Sequence, residues 1–243
     1  MESNKKPTSD IQVINTIEGI KSLVDGIAIL NTSHRSSLPL LYIDIEQMSL
    51  GEDGELNILT ILLCYGPDLR RRFYLVDISI LANMAFSTRG FYGASLRSIL
   101  DSPSYQKVFF DVRHDSHILY VQYGIKLERV HDLQLMESAC RPNESERECL
   151  QLFETLIHKM VRGPARQRWF VDKFNGEWLY KRTPGGSHRS QNRVEETQKE
   201  EHNPFACGRF RNPWTAEQNK KLDSWAEENP DFVEFRLVGG ILW

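Results

Sequence analysis

The sequence predicts an α/β fold, a mixed sheet flanked by helices, and three observations lead there. Residues 41–46, 56–65 and 72–78 are three apolar or alternating runs separated by short polar turns, the pattern of an antiparallel three-strand meander. After residue 96 the texture changes to alternating helical and extended stretches, which places helices on the sheet. Neither GxGxxG nor GxxxxGK[ST] occurs, so a dinucleotide-binding parallel domain and a phosphate-loop domain have no support.

The elements follow in order. Residues 1–10 are polar and read as a flexible N-terminus. Over 11–30, Ile14, Ile17, Ile20, Leu23, Val24 and Ile27 recur mostly at spacings of three and four, predicting a helix capped by Asn15 or Thr16. NTSHRSS (31–37) is a polar turn. In LYIDIE (41–46), Leu41, Ile43 and Ile45 alternate with Tyr42, Asp44 and Glu46, predicting a central strand that starts after Pro39, which has no ladder donor. GEDG (51–54) turns the chain into LNILTILLCY (56–65), and RFYLVDI (72–78) is the third strand. A helix ending at 96–100, a short strand KVFFD (107–111), a helix over 114–123, a strand within 127–133 and a helix over 149–160 complete the core. Near the C-terminus, Thr215 and Gln218 form a capping box for a helix that places Leu222 and Trp225 on one face.

Composition narrows the function classes. The chain has 243 residues, 40% of them hydrophobic and 26% charged, enough for a buried core. Thirty Lys+Arg against 33 Asp+Glu leave a formal net charge of -3, which excludes a histone-like binder working by bulk positive charge but not a nucleic-acid enzyme with local patches. Cys64, Cys140, Cys149 and Cys207 are far apart, with no zinc spacing, and are expected as reduced thiols. No signal-peptide core and no run of 18 apolar residues occur, so the expected location is intracellular, nucleus or cytoplasm, with no membrane partner.

Asp44 and Glu46 are the residues to explain. Two apart on a strand, they project from one face about 6 to 7 Å apart. Side by side on an apolar strand, two carboxylates repel and lose hydration unless a cation or donors compensate. Hard divalent ions are the usual compensation, and a pair of them can clamp a phosphodiester displacement. The competing reading is that the strand ends at Ile45 and both acids are solvated. Asp115, in the first turn of the helix after 107–111, is a third acid facing the end of the neighbouring strand, where the helix dipole favours it. It also reads as a simple first-turn acid. Asp111 ends its strand, and Asp132 reads as an acid that fixes local backbone donors. A zinc site at His114 and His117 lacks the further ligands it needs.

At these residues the chain resembles the DEDD-type 3'-5' exonucleases, the ribonuclease D-like group with a ribonuclease H-like fold, and most nearly the fungal 3'-5' exonuclease domain proteins. LYIDIE resembles the first family motif, with Asp44 and Glu46 as its acids. KVFFDVRHDSHILYVQYGIKLERVHDLQLME resembles the second and places the third metal-binding acid at Asp115, with Asp132 in a structural role. The resemblance covers roughly residues 12–186. It implies Asp44, Glu46 and Asp115 as catalytic residues and metal ligands, Mg²⁺ or Mn²⁺ as cofactor in a two-metal site, and single-stranded RNA or DNA as partner, with release of nucleoside 5'-monophosphates.

The fourth acidic motif is not found. No YxxxD or HxxxD occurs after residue 150; His188 is followed four residues later by Asn192. Asp172 comes too early, and Glu195, Glu196, Glu200 and Glu201 have no apolar face beside them to dock a helix. Two readings therefore stand, a degenerate exonuclease and a catalytically inactive nucleic-acid or protein-binding module that keeps the fold. A purely structural α/β domain is a third.

Residues 159–182 carry seven basic against two acidic residues, with Trp169, Phe170, Phe174, Trp178 and Tyr180 interleaved. That mixture suits single-stranded nucleic acid, through phosphate contacts and stacking, and equally a packed helix with basic residues outside. Arg70, Arg71 and Arg72 read as a solvated hairpin tip. The expected organisation is a flexible segment over 1–10, an exonuclease-like domain over 11–182, a polar linker or exposed helix over 183–204 and a C-terminal extension over 205–243.

Overall fold

A computed structural model describes residues 11–33, 39–47, 54–66, 70–167 and 213–228, the last four by backbone alone. The chain divides into two compact units, Met1–Asp132 and Leu133–Trp243.

The first unit is a six-stranded mixed sheet in the order β1-β4-β3-β2-β5-β6. Its strands are β1 (Ile11–Ile14), β2 (Leu41–Gln47), β3 (Leu56–Tyr65), β4 (Arg70–Asp77), β5 (Lys107–Phe109) and β6 (Val130–Asp132). β2, β3 and β4 form the expected antiparallel meander, with Ile43 opposite Ile61 and Ile61 opposite Tyr74. β1 adds parallel to β4, and β5 and β6 add parallel beyond β2. Only β3 therefore runs against the rest. The carboxyl ends of β2, β5 and β6 come to one edge of the sheet, where open α/β sheets bind their ligands.

The pattern of β2 decides what that edge carries. Leu41, Ile43 and Ile45 are buried in the main core, while Asp44 and Glu46 on the opposite face are exposed. β3 is apolar on both faces: Leu59, Ile61 and Leu63 join the main core, and Leu62 and Cys64 cluster with Phe73 and Tyr42 on the other. Helix α1 (Ile17–Ser33) buries Ile20, Leu23, Val24 and Ile27 in the main core. Thr16 caps it, its Oγ1 accepting from the Gly19 N–H at 3.1 Å. Short helices α2 (Ile78–Leu81), α3 (Asn83–Ser87) and α4 (Leu96–Leu100) lead to β5, and α5 (Val112–Tyr123) packs Ile118 and Leu119 into the same core.

Before β5 the turn closes on a lysine. Lys107 is fully buried, and its Nζ donates to the carbonyls of Ile99, Ser102 and Tyr105 at 3.0, 2.8 and 2.8 Å. All three ammonium protons thus have acceptors. Burial still brings its pKa down to about 8, against the opposing pull of Glu128 and Asp101.

The structure corrects several expectations. Residues 11–14 are a strand, because an edge position beside β4 was open to the short apolar run IQVI, and the helix starts only at Ile17. Asn31–Ser33 extend α1 rather than forming a turn. The strand expected over 107–111 stops at Phe109, and its helix begins at Val112. Cys149 is disulfide-bonded, whereas Cys64 and Cys140 are free thiols; pairing follows proximity in space, which wide sequence spacing does not reveal.

The second unit contains α6 (Leu133–Ala139), α7 (Glu144–Arg147), α8 (Phe153–Met160) and α9 (Ala216–Glu228). Its buried Arg147 donates through Nε to Asn219 Oδ1 at 2.9 Å and through Nη1 to the Arg141 carbonyl at 2.7 Å, and pairs with Asp223. The expected capping box opens α9: Gln218 N–H donates to Thr215 Oγ1 and Thr215 N–H to Gln218 Oε1. The side chain of Trp225, expected to share a face with Leu222, lies outside the described residues. Among the described residues, no helix is long and apolar enough to cross a membrane.

Candidate functional site

Two elements carry the three acids. β2 and β5 pair only through Leu41–Lys107 and Tyr42–Val108, so their chains part where β2 carries Asp44 and Glu46. There β5 gives way to α5 through Asp111, a left-handed residue at φ 57°. The first turn of α5 then presents Asp115 toward the acid-bearing end of β2. Asp115 is 8% exposed, whereas Asp44 and Glu46 reach solvent.

Burial raises the pKa of all three acids. Burial first, then the charges of Asp44, Asp111, Glu46 and Asp132, push the Asp115 pKa up to about 8. Burial raises Asp44, partly offset by a backbone hydrogen bond from Ile45. Burial and then the charge of Asp44 raise Glu46. Among the described residues, no cation pairs with these three acids, although neighbouring Asp111 pairs with Arg113.

A polar tie holds α5 against the β2–β3 connection. Gln47 follows Glu46 across a register irregularity in the ladder. Its Nε2 donates to the Gly54 carbonyl at 2.6 Å, which turns its Oε1 toward His114 Nε2, 2.7 Å away. With Oε1 as acceptor, Nε2 of His114 carries the proton. At the other end of the helix, Gln122 donates to the same Gly54 carbonyl at 2.6 Å and accepts from the Leu56 N–H at 3.1 Å. Sequence reasoning passed over Gln47 and Gln122. Helical spacing held the signal for the second, since 115, 118, 119 and 122 share one face.

The structure places the remaining candidates as follows. Asp132 is buried and accepts from backbone N–H groups, as expected of a structural acid. Asp111 accepts from Arg113 Nε at 2.5 Å. His117 is exposed on α5. Asp172, His188, Asn192, Glu195, Glu196, Glu200, Glu201 and the aromatic run from Trp169 to Tyr180 lie outside the described residues.

Hard carboxylate oxygens fit Mg²⁺ or Mn²⁺ by donor chemistry, and among the described residues no thiolate joins them as zinc would favour. Among the described residues, no group of three or more His, Cys, Asp or Glu side chains is gathered closely enough to hold a metal ion as it stands. The three acids share a field rather than a closed cage.

A family model described as 3'-5' exonuclease matches residues 14–168. No curated protein matches the chain. Among solved structures, RNase D of Trypanosoma brucei in complex with GMP is 20% identical with a TM-score of 0.49, over 66% of this chain and 46% of that one. RNase D of Escherichia coli is 15% identical with a TM-score of 0.40, over 92% of this chain and 44% of that one. The EXD2 exonuclease domain soaked in Mg and dGMP is 20% identical with a TM-score of 0.40, over 63% and 69%. The match spans less than half the length of either RNase D chain.

Proposed function

The chain belongs to the 3'-5' exonuclease family, and we propose that it hydrolyses single-stranded RNA or DNA from the 3' end, slowly, releasing nucleoside 5'-monophosphates. The observation that carries this reading is the field at Asp115, whose pKa rises to about 8 under burial and the charges of Asp44, Asp111 and Glu46. A buried carboxyl beside other acids is a candidate metal ligand.

In this reading Asp44, Glu46 and Asp115 hold divalent metal, Mg²⁺ or Mn²⁺. When bound, the metal supplies an activated water and stabilisation of the 3' leaving oxygen. Asp115 gives up the proton it retains near neutral pH in order to serve as a ligand. Gln47 and Gln122 keep α5, and so Asp115, at the end of β2.

Slow turnover follows from the missing fourth motif. Loss of one ligand weakens stabilisation of the nucleophile or the leaving oxygen, and about 3 kcal/mol of that costs roughly 100-fold in rate. The second reading, a binding module that keeps the fold without turnover, is favoured by one observation: among the described residues the acids do not close into a metal-holding group. A gel time course on 5'-labelled single strands with Mn²⁺ separates the two. A ladder from the wild type that disappears in Glu46→Gln supports the exonuclease. Binding without any ladder supports the module.

A further inference from the structure

The turn between α3 and α4 does something the acid edge does not explain. It is held with unusual care. Both carboxylate oxygens of Asp25, on α1, accept backbone N–H groups from it, Oδ2 from Phe91 at 2.9 Å and Oδ1 from Tyr92 at 3.1 Å. Gly90 donates to the Ala94 carbonyl at 2.8 Å, and Gly93 to that of Gly90 at 3.1 Å. The guanidinium of Arg89 closes the turn on the Gly93 carbonyl at 3.0 Å. A Cβ at Gly90 would stand 2.3 Å from Asp25 Oδ1, so the turn seats itself where only glycine fits. Gly93 takes φ +79°.

What this scaffold holds out is two aromatic rings. Phe91 is 89% exposed and Tyr92 61% exposed. They meet edge to face, centroids 5.2 Å apart at 90°. A Phe left in water forfeits the burial that ordinarily stabilises its place in a fold. A rigid turn presenting such a ring is preorganised for a partner that brings its own flat face. Two basic side chains belong to the turn and to the helix that holds it. Arg89 is exposed in the turn, and Lys21 is exposed one helical turn before Asp25, whose own carboxylate is engaged by the amides.

We infer that residues 88–95 form a base-stacking platform for single-stranded nucleic acid, with Phe91 and Tyr92 as the stacking rings and Arg89 and Lys21 as phosphate contacts. Aromatic faces beside basic side chains are the elements by which proteins hold single strands without reading sequence. The inference rests on the exonuclease reading only for the class of ligand; the platform uses none of the residues of the acid edge.

Because the rings bury little, they can be removed without unfolding the protein. The test measures fluorescence anisotropy of labelled 15-mer oligo(dT) and oligo(U) with the full chain at low salt in EDTA. It compares wild type, Phe91→Ala/Tyr92→Ala, Phe91→Leu/Tyr92→Leu and, as a control at another exposed apolar side chain, Val13→Ala. The expected result is a loss of about 10- to 100-fold in affinity in both ring variants, with unchanged melting temperature and no loss in Val13→Ala. Unchanged affinity in the alanine variant, or no binding by the wild type, overturns the platform. So does normal affinity in the leucine variant, which would make the patch merely apolar, or a ring-dependent change in oligomeric mass without one in affinity. Cleavage assays with Mn²⁺ keep the two claims apart. A wild type that cleaves while the ring variants bind normally sinks the platform alone, and a wild type that never cleaves while they lose binding sinks the exonuclease alone.

Discussion

The carboxylate of Asp132 accepts a hydrogen bond from the backbone N–H of Asp111, Oδ1 to N at 3.1 Å, and its Oδ2 accepts from the next N–H, that of Val112, also at 3.1 Å. One buried acid at the end of β6 thus satisfies two donors at the start of α5. It also braces Asp111 in a left-handed conformation that a residue with a side chain adopts only with support. That bend aims Asp115 at Asp44 and Glu46.

Asp132→Ala should therefore lower stability by about 1 to 3 kcal/mol, since two part-buried donors lose their acceptor. Asp132→Asn should cost roughly half as much, because one amide oxygen remains and an NH₂ faces a donor. Urea unfolding measures both. An asparagine variant as stable as the wild type would show that only one of the two hydrogen bonds matters.

The sheet was largely legible because its strands are long and strongly patterned. LNILTILLCY is β3 to the residue, and the alternation of LYIDIE put Asp44 and Glu46 on one face of an interior strand. β1 was not legible, since four residues that pair at a sheet edge carry no period of their own, and Ile11 and Val13 are exposed. Of the site, the three acids were readable as residue types at telling positions. Their shared field was not, because it depends on where β5 gives way to α5. Gln47 and Gln122 were missed for a different reason. A glutamine's value lies in the backbone groups it reaches, here Gly54 and Leu56, and those come near only in the fold.

Gln122→Leu tests the tie on α5. Leucine fills similar space but leaves the Leu56 N–H without its side-chain acceptor, so stability should fall by about 1 to 3 kcal/mol. If the tie also positions Asp115, the rise in melting temperature produced by Mn²⁺ should shrink in this variant. A control at an exposed site of the same helix, His117→Ala, should retain the full rise. Equal gains in both would leave Gln122 a purely structural residue.

Two glycines separate a tight seat from ordinary helix propensity. Gly90→Ala forces a Cβ to within 2.3 Å of Asp25 Oδ1 and 2.8 Å of Val24 Cγ2, so Asp25 must move and release the amides of Phe91 and Tyr92. The cost should be about 2 to 4 kcal/mol by thermal unfolding. Gly26, inside α1, has nothing within 4 Å of the same position, and Gly26→Ala should raise stability by about 0.5 to 1 kcal/mol. A tolerated Gly90→Ala would mean that the turn does not depend on Asp25.

Asp115 contributes to the pH dependence of the protein without metal. Its pKa is raised from 3.8 to about 8 in the fold. Between those values the native state holds a proton that the unfolded chain has released, so its contribution to stability falls as pH rises from about 4 to 8 and is gone above. The rise to about 8 bounds the effect near 6 kcal/mol, and relaxation of the site brings the expected loss to about 1 to 3 kcal/mol. Asp115→Asn removes the titrating proton and should flatten that slope, leaving the variant more stable than the wild type at pH 8 in EDTA. Mn²⁺ competes with the same proton, so its stabilisation of the wild type should be larger at pH 8 than at pH 6. Asp115→Asn and Asp44→Asn should each lose most of that gain. Urea unfolding across pH 5 to 8, with and without Mn²⁺, reads every one of these terms. Wild-type stability that climbs with pH over this range would show Asp115 ionised and already balanced by a partner, and the acid edge would then have no need of a cation.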